Sequence, residues 1–172
     1  MDKAISLATT IDILVNSASI FTPSTISTLA YEDAIANFRI NAWAPFVLSR
    51  SFAAQAKSGA IVNLLDSRIS GYDWNHAGYI FSKHVLAEMT RMMALDFAPH
   101  ITVNAVAPGL VLPPPGETLD YLTRLQGTVP LKRHGDEQDV AEAVAFLVSS
   151  TFITGQVVYV DGGRHLKEYH LS

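Results

Sequence analysis

The sequence contains no cysteine among its 172 residues. This absence excludes disulfide bonds and thiolate metal sites, and it fits a reducing compartment. Charged residues make up only 16% of the chain, the net charge is −4, and lysines and arginines form no run. The composition therefore indicates neither a nucleic-acid surface nor binding to an anionic membrane. We predict a small-molecule or protein partner.

The N-terminal segment also lacks a long apolar run. Residues 1–16 include Asp2 and Asp12, and they match neither a signal peptide nor a membrane-spanning helix. We therefore expect a cytoplasmic protein. Hydrophobic residues make up 49% of the chain, and the mean hydropathy is +0.22. This composition is typical of one globular domain with a well-filled core, so we assign residues 1–172 to a single domain.

Short apolar runs alternate along the chain with longer helical stretches. The runs are continuously apolar, which is typical of strands buried on both faces. They cover residues 11–19, 59–65, 101–109 and 155–163, and helices are predicted at about residues 31–56, 78–98 and 136–149. Strands and helices that alternate with short connections predict an α/β fold with a parallel sheet and right-handed crossovers.

One long irregular stretch interrupts this alternation. Residues 109–120 contain three consecutive prolines, which stiffen a loop that leaves a strand end. Ligands of open α/β sheets bind at the carboxyl ends of strands. We therefore predict that this loop forms a lid or a pocket wall.

The helix predicted at residues 78–98 has apolar residues on more than one face. A helix that covers a sheet needs only one apolar stripe. We predict that the second face packs on another subunit, and the alternative is a deeply buried helix. The residues concerned are Val85, Leu86, Met89, Met92, Met93, Leu95 and Phe97.

This helix begins with a tyrosine and a lysine four residues apart. Tyr79 and Lys83 project from one face, so the ammonium group lies near the phenol. A nearby positive charge is expected to lower the tyrosine pKa toward neutral pH, which suits a proton donor or acceptor. The alternative is an amphipathic helix with a solvated lysine.

Four further segments accompany Tyr79 and Lys83 in a fixed order. Together the five segments resemble the signature motifs of the short-chain dehydrogenase/reductase family, over residues 11 to about 165. The resemblance implies a Rossmann-like, doubly wound parallel sheet with helices on both faces, a three-layer αβα fold. The segments are "ILVNSAS" (13–19), "RINAWAPF" (39–46), "YIFSK" (79–83), "VNAVAPG" (103–109) and "FITGQVVYVDGG" (152–163).

By this resemblance, Tyr79 is the catalytic acid, Lys83 holds the nicotinamide ribose and tunes Tyr79, and Asn41 holds a water molecule in a proton relay. The alternatives are a buried amide bonded to backbone at Asn41 and an ordinary turn at residues 108–109. The cofactor-binding residues that the resemblance implies are Asn16, Ala18, Ser19, Tyr79, Lys83, Pro108, Gly109 and Val111.

The family's substrate-orienting serine is replaced by Asp66. "IVNLLD" (61–66) aligns with the family's usual Ile-Val-Asn-Ile-Ser-Ser, which places Asp66 at the second serine. Ser67 offers a hydroxyl, but a step of one residue in a strand reverses the face of the side chain. We therefore prefer Asp66. As alternatives, Asp66 caps the turn after its strand or pairs with Arg68.

An aspartate thirteen residues before the tyrosine resembles the pteridine reductase and dihydromonapterin reductase branch. "NSASIF" (16–21) is similar to that branch and would place Ser19 near the cofactor and Phe21 over the substrate; "DGGRHLK" (161–167) is similar to the end of bacterial dihydromonapterin reductases. The alternatives are a core aromatic at Phe21 and a solvated tail at residues 164–165.

A pterin suits these residues chemically. It is a flat π-system that stacks on an aromatic ring, and reduction of its C=N bond requires a proton at nitrogen. A carboxyl group shielded from water can keep its proton near neutral pH, so we expect Asp66 to help deliver that proton together with Tyr79.

The beginning of the chain departs from the family pattern. Residues 1–40 contain no Gly-rich phosphate loop, and the resemblance starts at the family's fourth strand. We therefore expect a Rossmann-like sheet that lacks its first strands, as in a truncated or partial chain, and an exposed apolar edge at residues 11–17. The alternative is a short protein that has lost its cofactor and acts as a binding or assembly subunit.

The sequence thus predicts an NADPH-dependent reductase that acts on a dihydropterin C=N bond, with NADH not excluded. The alternative functions are a carbonyl or hydroxyl oxidoreductase and a non-catalytic subunit. We expect a homodimer or homotetramer that forms through helices 31–56 and 78–98. The six histidines form no recognisable ligand motif, so no metal site is predicted.

Overall fold

The computed structural model describes residues 10–169. Within this range, strands β1 to β4 form a parallel sheet in chain order. The strands are β1 (Ile13–Asn16), β2 (Gly59–Leu64), β3 (Ile101–Pro108) and β4 (Val157–Val160). The helices are α1 (Tyr31–Phe38), α2 (Ala44–Gln55), α3 (Ala77–Asp96), α4 (Leu119–Leu125) and α5 (Glu137–Ser149). A π-helical segment at Arg39–Trp43 joins α1 to α2, and 3₁₀ turns cover Ser67–Ser70, Gln126–Thr128 and Arg164–Tyr169.

The strand register brings the site residues to one edge of the sheet. Asn16 pairs with Asn63, Leu64 with Val106, and Pro108 with Val160. Because the strands are parallel, the segments that follow them leave the sheet at the same edge. The turns after β2, β3 and β4 therefore lie close together. Polar side chains of the predicted site lie in and around these turns.

Helices cover both faces of the sheet. On one face, Phe52 of α2 and Met93 of α3 pack on Ile61 and Val103 of the inner strands. On the other face, Leu147 of α5 packs against Val62 and Val106. Residues of β2 and β3 thus bury side chains on both sides, as continuous apolar runs require. The predicted three-layer αβα arrangement is confirmed.

The predicted elements agree with the structure except near residue 120. Helices 31–56, 78–98 and 136–149 and all four strands are confirmed to within a few residues at their ends. The stretch at 109–120, predicted as irregular, ends in α4, which was not predicted. Helix α4 has only seven residues, too few for a clear helical period. It is held by Leu122, which is buried against Leu110 and Val129.

Two apolar surfaces remain exposed in the single chain. On β1, Ile13 is 50% and Val15 40% exposed, which agrees with the exposed edge predicted at residues 11–17. On α3, Met92 is 68% and Leu95 84% exposed, so the alternative of a deeply buried helix is wrong. Within residues 10–169 no helix is long and apolar enough to cross a membrane.

Candidate active site

A pocket of about 380 Å³ lies at the carboxyl edge of the sheet. The turn after β2, the start of α3, the loop after β3 and the turn after β4 all contribute to its wall. The lining residues are Ser19, Phe21, Asp66, Ser67, Arg68, Tyr79, Gly109, Leu110, Leu112, Pro114, Pro115, Tyr121 and Arg164.

Tyr79 lies in the first turn of α3, and its hydroxyl donates a hydrogen bond of 3.0 Å to Asp66 Oδ2. The start of this helix packs closely on α1, because a Cβ at Gly78 would lie 3.1 Å from Leu29 and 3.3 Å from Asn37. Of the two groups that the sequence offered at the strand end, Asp66 rather than Ser67 bonds to Tyr79.

Asp66 is held mainly by Arg68. Its Oδ1 accepts hydrogen bonds of 2.9 Å from both the backbone N–H and Nε of Arg68, and its Oδ2 accepts one of 2.7 Å from Nη2. Because Oδ2 also accepts the hydrogen bond from the Tyr79 hydroxyl, each carboxylate oxygen accepts two hydrogen bonds. Because a carboxylate has about four acceptor positions, Asp66 has no acceptor position left for a ligand while these bonds persist.

Arg68 also determines the charge of Asp66. Burial alone would raise the pKa of Asp66, but hydrogen bonds and the charge of Arg68 outweigh burial and lower that pKa below its ordinary value. The prediction that Asp66 keeps a proton near neutral pH is therefore wrong. The alternatives that Asp66 pairs with Arg68 and caps the turn at Ser67–Ser70 are both confirmed.

Arg68 is the main residue of this site that sequence reasoning did not assign to it. Its Nη1 donates to Asp73, and the same Asp73 oxygen lies 2.9 Å from Nδ1 of His76. Burial would lower the Arg68 pKa, but Asp66 and Asp73 raise it. The Asp-x-Arg spacing after β2 is the signal that could have found this residue, since both side chains flank one short turn.

The pKa of Tyr79 changes in the direction opposite to the sequence prediction. Burial raises it, the neighbouring charge of Asp66 raises it further, and Arg68 only partly opposes this. The expectation that Lys83 brings the Tyr79 pKa down toward neutral pH is therefore wrong in this structure. Tyr79 is a protonated phenol at neutral pH, which makes it a proton donor rather than a base.

Lys83 is buried beneath the Tyr79 ring, with Nζ 5.6 Å from the ring centroid. The ammonium donates one hydrogen bond, of 2.7 Å, to the carbonyl of Leu64. Burial lowers the Lys83 pKa to about 8, and Asp66 opposes this shift. An ammonium has three donors, so Lys83 keeps hydrogen-bonding capacity beyond its bond to β2.

Asn41 lies in the π-helical segment and is fully buried. Its Oδ1 accepts bonds of 2.8 Å from the Ile20 N–H and 3.1 Å from Ser19 Oγ, and its Nδ2 donates to the Ile20 carbonyl and to Ser82 at 3.0 Å. The side chain therefore fixes the loop after β1, as the buried-amide alternative expected. The proton-relay role of Asn41 stays a prediction.

Asn16 lies in a second buried network, away from the pocket lining. Its Nδ2 donates to Asn63 Oδ1 at 2.8 Å and to Ser49 at 3.2 Å, and Asn63 donates to Thr90 at 2.9 Å. These bonds connect β1 to β2 and α3. Sequence reasoning missed Asn63 and Thr90: Asn63 is a polar residue inside an apolar strand, which is a weak signal, and Thr90 is a single polar residue within a helix.

Phe21 contacts the site on several sides. Its ring stacks on His76 at 3.8 Å between centroids, meets Tyr79 edge to face at 4.7 Å, and lies 5.0 Å from the Arg68 guanidinium carbon. Because Phe21 lines the pocket, the core-aromatic alternative is wrong. Its predicted stacking on a substrate stays a prediction.

The turn after β3 places Gly109 on the pocket wall. The Gly109 N–H bonds to the Val160 carbonyl at 3.0 Å, and a Cβ at this position would collide with Asp161. Only glycine allows these two turns to approach so closely. Ala18, Pro108 and Val111 do not line this pocket, so their predicted cofactor contacts stay predictions.

The segment after β4 is ordered rather than a free tail. Asp161 accepts bonds from the Gly163 N–H at 2.9 Å and from the backbone and ring of His165 at 2.7 and 2.8 Å. The His165 ring also stacks on Tyr159 at 4.1 Å. The solvated-tail alternative for residues 164–165 is therefore wrong, and Arg164 reaches the pocket wall.

Comparison with known protein families gives a match over most of the chain. A protein-family model described as enoyl-(acyl carrier protein) reductase matches residues 1–165. The 3-oxoacyl-[acyl-carrier-protein] reductase of Rickettsia felis is 37% identical over 169 residues, 92% of this chain and 69% of that protein. The dihydromonapterin reductase of Citrobacter koseri is 35% identical over 107 residues, 62% of this chain and 45% of that protein.

The fold also matches solved structures. The FolM alternative dihydrofolate reductase 1 of Brucella canis, solved in complex with NADP, has a TM-score of 0.91 and 29% identity, and the match covers 96% of this chain and 67% of that chain. The tropinone reductase-like 3 protein of Erythroxylum coca is 37% identical over 166 residues. The chain spans about half to two thirds of the length of its curated relatives.

Proposed function

The chain belongs to the short-chain dehydrogenase/reductase family, and from this we propose that it reduces the C=N bond of a dihydropterin with NADPH. The observation that carries the proposal is the 3.0 Å bond from Tyr79 to Asp66 in a pocket that Phe21 also lines. Support comes from the dihydromonapterin reductase relative and from the structure of a dihydrofolate reductase in complex with NADP.

The described residues fit the nicotinamide end of such a cofactor. Lys83 is a buried cation that uses one of its three donors on Leu64, so the others suit ribose hydroxyls. Ser19 and Gly109 line the same pocket as Tyr79. Lys83, Ser19 and Gly109 would hold this end of the cofactor, and Pro108 and Val111 would flank it. NADPH supplies the hydride when it is bound.

Tyr79 and Asp66 have different roles in the proposed reaction. Tyr79, kept protonated by its raised pKa, donates its proton to the ring nitrogen as the neighbouring carbon gains the hydride, so that C=N becomes CH–NH. Asp66 stays ionised and orients the Tyr79 hydroxyl through its hydrogen bond. Lys83 and Arg68, with their charges 5.6 and 5.8 Å from the Tyr79 ring centre, offset the negative charge that Tyr79 gains. Asn41 keeps Ser19 at the pocket.

A carbonyl substrate is the second candidate. With Asp66 ionised, Tyr79 alone donates the proton, and one hydroxyl donor is sufficient for reducing a ketone. The 3-oxoacyl reductase relative covers more of this chain than the dihydromonapterin reductase does. This candidate predicts turnover of ketones without turnover of pterins.

Oligomer formation belongs to the same proposal. The exposed apolar residues of α2 and α3 form a surface that would pack against a second copy, and they are Leu48, Phe81, Val85, Met92 and Leu95. Contiguous exposed apolar surface of this kind marks interaction sites. We expect a homodimer or homotetramer, which sedimentation of the purified chain would detect.

Two measurements test the proposed function. NADPH fluorescence is titrated with the 172-residue chain, and NADPH oxidation is followed with a dihydropterin and with a ketone. We expect saturable NADPH binding and dihydropterin turnover, which Asp66→Ser should reduce. Ketone turnover alone would replace the pterin proposal with the carbonyl one. No saturable NADPH binding would mean that this chain is not a reductase on its own.

A further inference from the structure

Two arginines line the pocket, and their guanidinium groups differ in their partners. Arg68 uses Nε, Nη1 and Nη2 on Asp66 and Asp73. Arg164 also lines the pocket, but its guanidinium has no hydrogen-bond or ion-pair partner among residues 10–169. Arg164 therefore keeps its donors available to a ligand.

The backbone around Arg164 is held firmly. Asp161 accepts bonds from the residues on both sides of Arg164, at Gly163 and His165. The Arg164 N–H bonds to the Asp161 carbonyl at 3.1 Å. The Asp161 side chain is 1% exposed, and both of its oxygens are engaged. The nearest preceding carboxylate therefore fixes the turn but does not neutralise the Arg164 guanidinium.

Three charged side chains line the pocket, and one of them has no ion-pair partner among residues 10–169. Asp66 pairs with Arg68 at 2.7 Å, and Asp73, which is not part of the lining, pairs with the same arginine. The remaining charged residue of the lining is Arg164. A guanidinium binds carboxylates and phosphates through two parallel hydrogen bonds. The pocket wall thus offers one uncompensated donor group for an anion.

We propose that Arg164 binds an anionic group, a carboxylate or a phosphate, of the substrate that occupies this pocket. The site would therefore select acidic substrates: a dihydropterin, or a carbonyl compound, that carries an acidic group in addition to the bond to be reduced. The assignment of Tyr79 as proton donor to that substrate rests on the proposed function. The anion site itself rests on the contacts of Arg164.

A binding experiment tests the anion site without turnover. The side-chain Nε–Hε signals of ¹⁵N-labelled chain are followed by NMR during titration with 4-aminobenzoyl-glutamate, its uncharged diamide, and inorganic phosphate. Arg164→Gln identifies the Arg164 signal by its loss. We expect that signal to shift saturably with at least one anion and not with the diamide. Equal shifts with the diamide, or no shift with either anion, would overturn the proposal.

A kinetic experiment tests whether the anion belongs to the substrate. KM is measured for dihydrofolate against 6-hydroxymethyl-dihydropterin, and for a keto acid against its methyl ester. We expect Arg164→Gln to raise KM of each acidic member about tenfold more than KM of its neutral partner, with kcat nearly constant, and Arg164→Lys to restore part of the difference. A tenfold effect corresponds to about 1.4 kcal/mol.

Matched controls separate the outcomes. Arg91→Gln removes the same charge from an exposed helix position that pairs only with Glu88, and it should leave both KM ratios unchanged. If Arg164→Gln weakens NADPH binding and leaves the KM ratios unchanged, the anion is a cofactor phosphate and the substrate proposal is wrong. If only the keto acid pair is turned over and its KM ratio responds to Arg164→Gln, the pterin function fails while the anion site stands.

Discussion

Two parts of the pocket lining, which we call the Tyr79 end and the Arg164 end after the residue in each, handle charge in opposite ways. At the Tyr79 end, Asp66 has four donors and Arg68 is bonded to two carboxylates. At the Arg164 end, the arginine lines the pocket and its guanidinium has no partner among the residues that the structure describes. The paired end can hold a reacting group in one geometry before a ligand arrives, whereas the unpaired end can gain bonds only from a ligand.

The comparison also explains why a charged cluster is stable at the Tyr79 end. Taking Asp66 and Arg68 out of water costs several kcal/mol for each ion, and this cost is recovered only when geometry and additional hydrogen bonds are good. Arg68 meets that condition, because its planar fork contacts Asp66 with two side-chain nitrogens and Asp73 with the third. Arg164, which is only partly buried, needs no such compensation.

Replacing Tyr79 with Phe should give the largest effect, since it removes the proposed proton donor from the paired end. Loss of general acid catalysis costs about 10² to 10⁴ in rate, so we expect kcat to fall about 10³-fold, or about 4 kcal/mol of barrier. NADPH oxidation with the turned-over substrate measures this. Tyr72→Phe, at an exposed tyrosine, is the matched control. A loss of less than tenfold would argue against Tyr79 as the donor.

Replacing Arg68 with Met should break the charge pairing itself. Breaking a buried ion pair by removing one partner costs about 3 to 5 kcal/mol, so we expect the free energy of unfolding to fall by about 3 kcal/mol at pH 7. Burial then raises the Asp66 pKa, opposed only by the hydrogen bonds from the backbone N–H of residue 68 and from Tyr79. As pH falls through that raised pKa, Asp66 takes up a proton and the deficit relative to wild type should shrink.

Urea denaturation at pH 7 and pH 5 measures both parts of this prediction. Arg91→Met, which removes an exposed ion pair with Glu88, should change stability by less than about 1 kcal/mol. A deficit in Arg68→Met that stays constant between the two pH values would mean that Asp66 does not change its protonation in the variant.

The expected effect of the Lys83 charge on stability and activity is of intermediate size. The Lys83 pKa is lowered from 10.5 to about 8, so the folded chain binds fewer protons than the unfolded chain between those values, and stability should rise with pH over that window. Activity should move in the opposite direction. If the Lys83 cation holds the ribose, kcat/KM should fall up to tenfold per pH unit above about pH 8. Lys83→Arg should remove this decline, because arginine stays charged.

Replacing Arg164 with Gln should have the smallest effect on folding. Arg164 has no ion pair among residues 10–169, and surface substitutions of this kind change stability by about 0.5 kcal/mol or less. Urea denaturation in the absence of ligand measures this. A loss close to that of Arg68→Met would show that Arg164 has a structural partner, and the contrast between the two ends of the pocket would disappear.

The layout of the fold could be predicted because it depends on long, simple patterns. Continuous apolar runs predicted β2 and β3. The four-residue spacing predicted that Tyr79 and Lys83 lie on the same face of their helix. The order of the motifs predicted that Asp66, Tyr79 and Gly109 lie at one edge of the sheet, where all three line the pocket. Helix α4 was not predicted because its seven residues are stabilised by a tertiary contact of Leu122 rather than by a local sequence pattern.

The protonation of the site could not be predicted from the sequence. Burial was expected to keep Asp66 protonated, but the pKa depends on the competition between burial and a specific guanidinium. The outcome of that competition changes with differences of a few tenths of an ångström in the distances between the groups, and the spacing of residues along the sequence does not specify such differences. The same holds for Tyr79, whose pKa is raised first by burial and then by the charge of Asp66, although the lysine one turn away predicted the opposite direction.

The π-helical segment at Arg39–Trp43 has a consequence for insertions and deletions. The Ala44 N–H bonds to the Arg39 carbonyl, five residues earlier, so this turn holds one residue more than an α-helical turn would. A turn of this kind takes up one extra residue locally, so deleting one of the residues 39, 40, 42 or 43 would restore an α-helical turn and leave the two halves of the helix in nearly the same relative orientation. The narrower turn would move Asn41 relative to the Ile20 backbone, to which its side chain is bonded through both its oxygen and its nitrogen. The length of this turn therefore helps to hold the loop after β1.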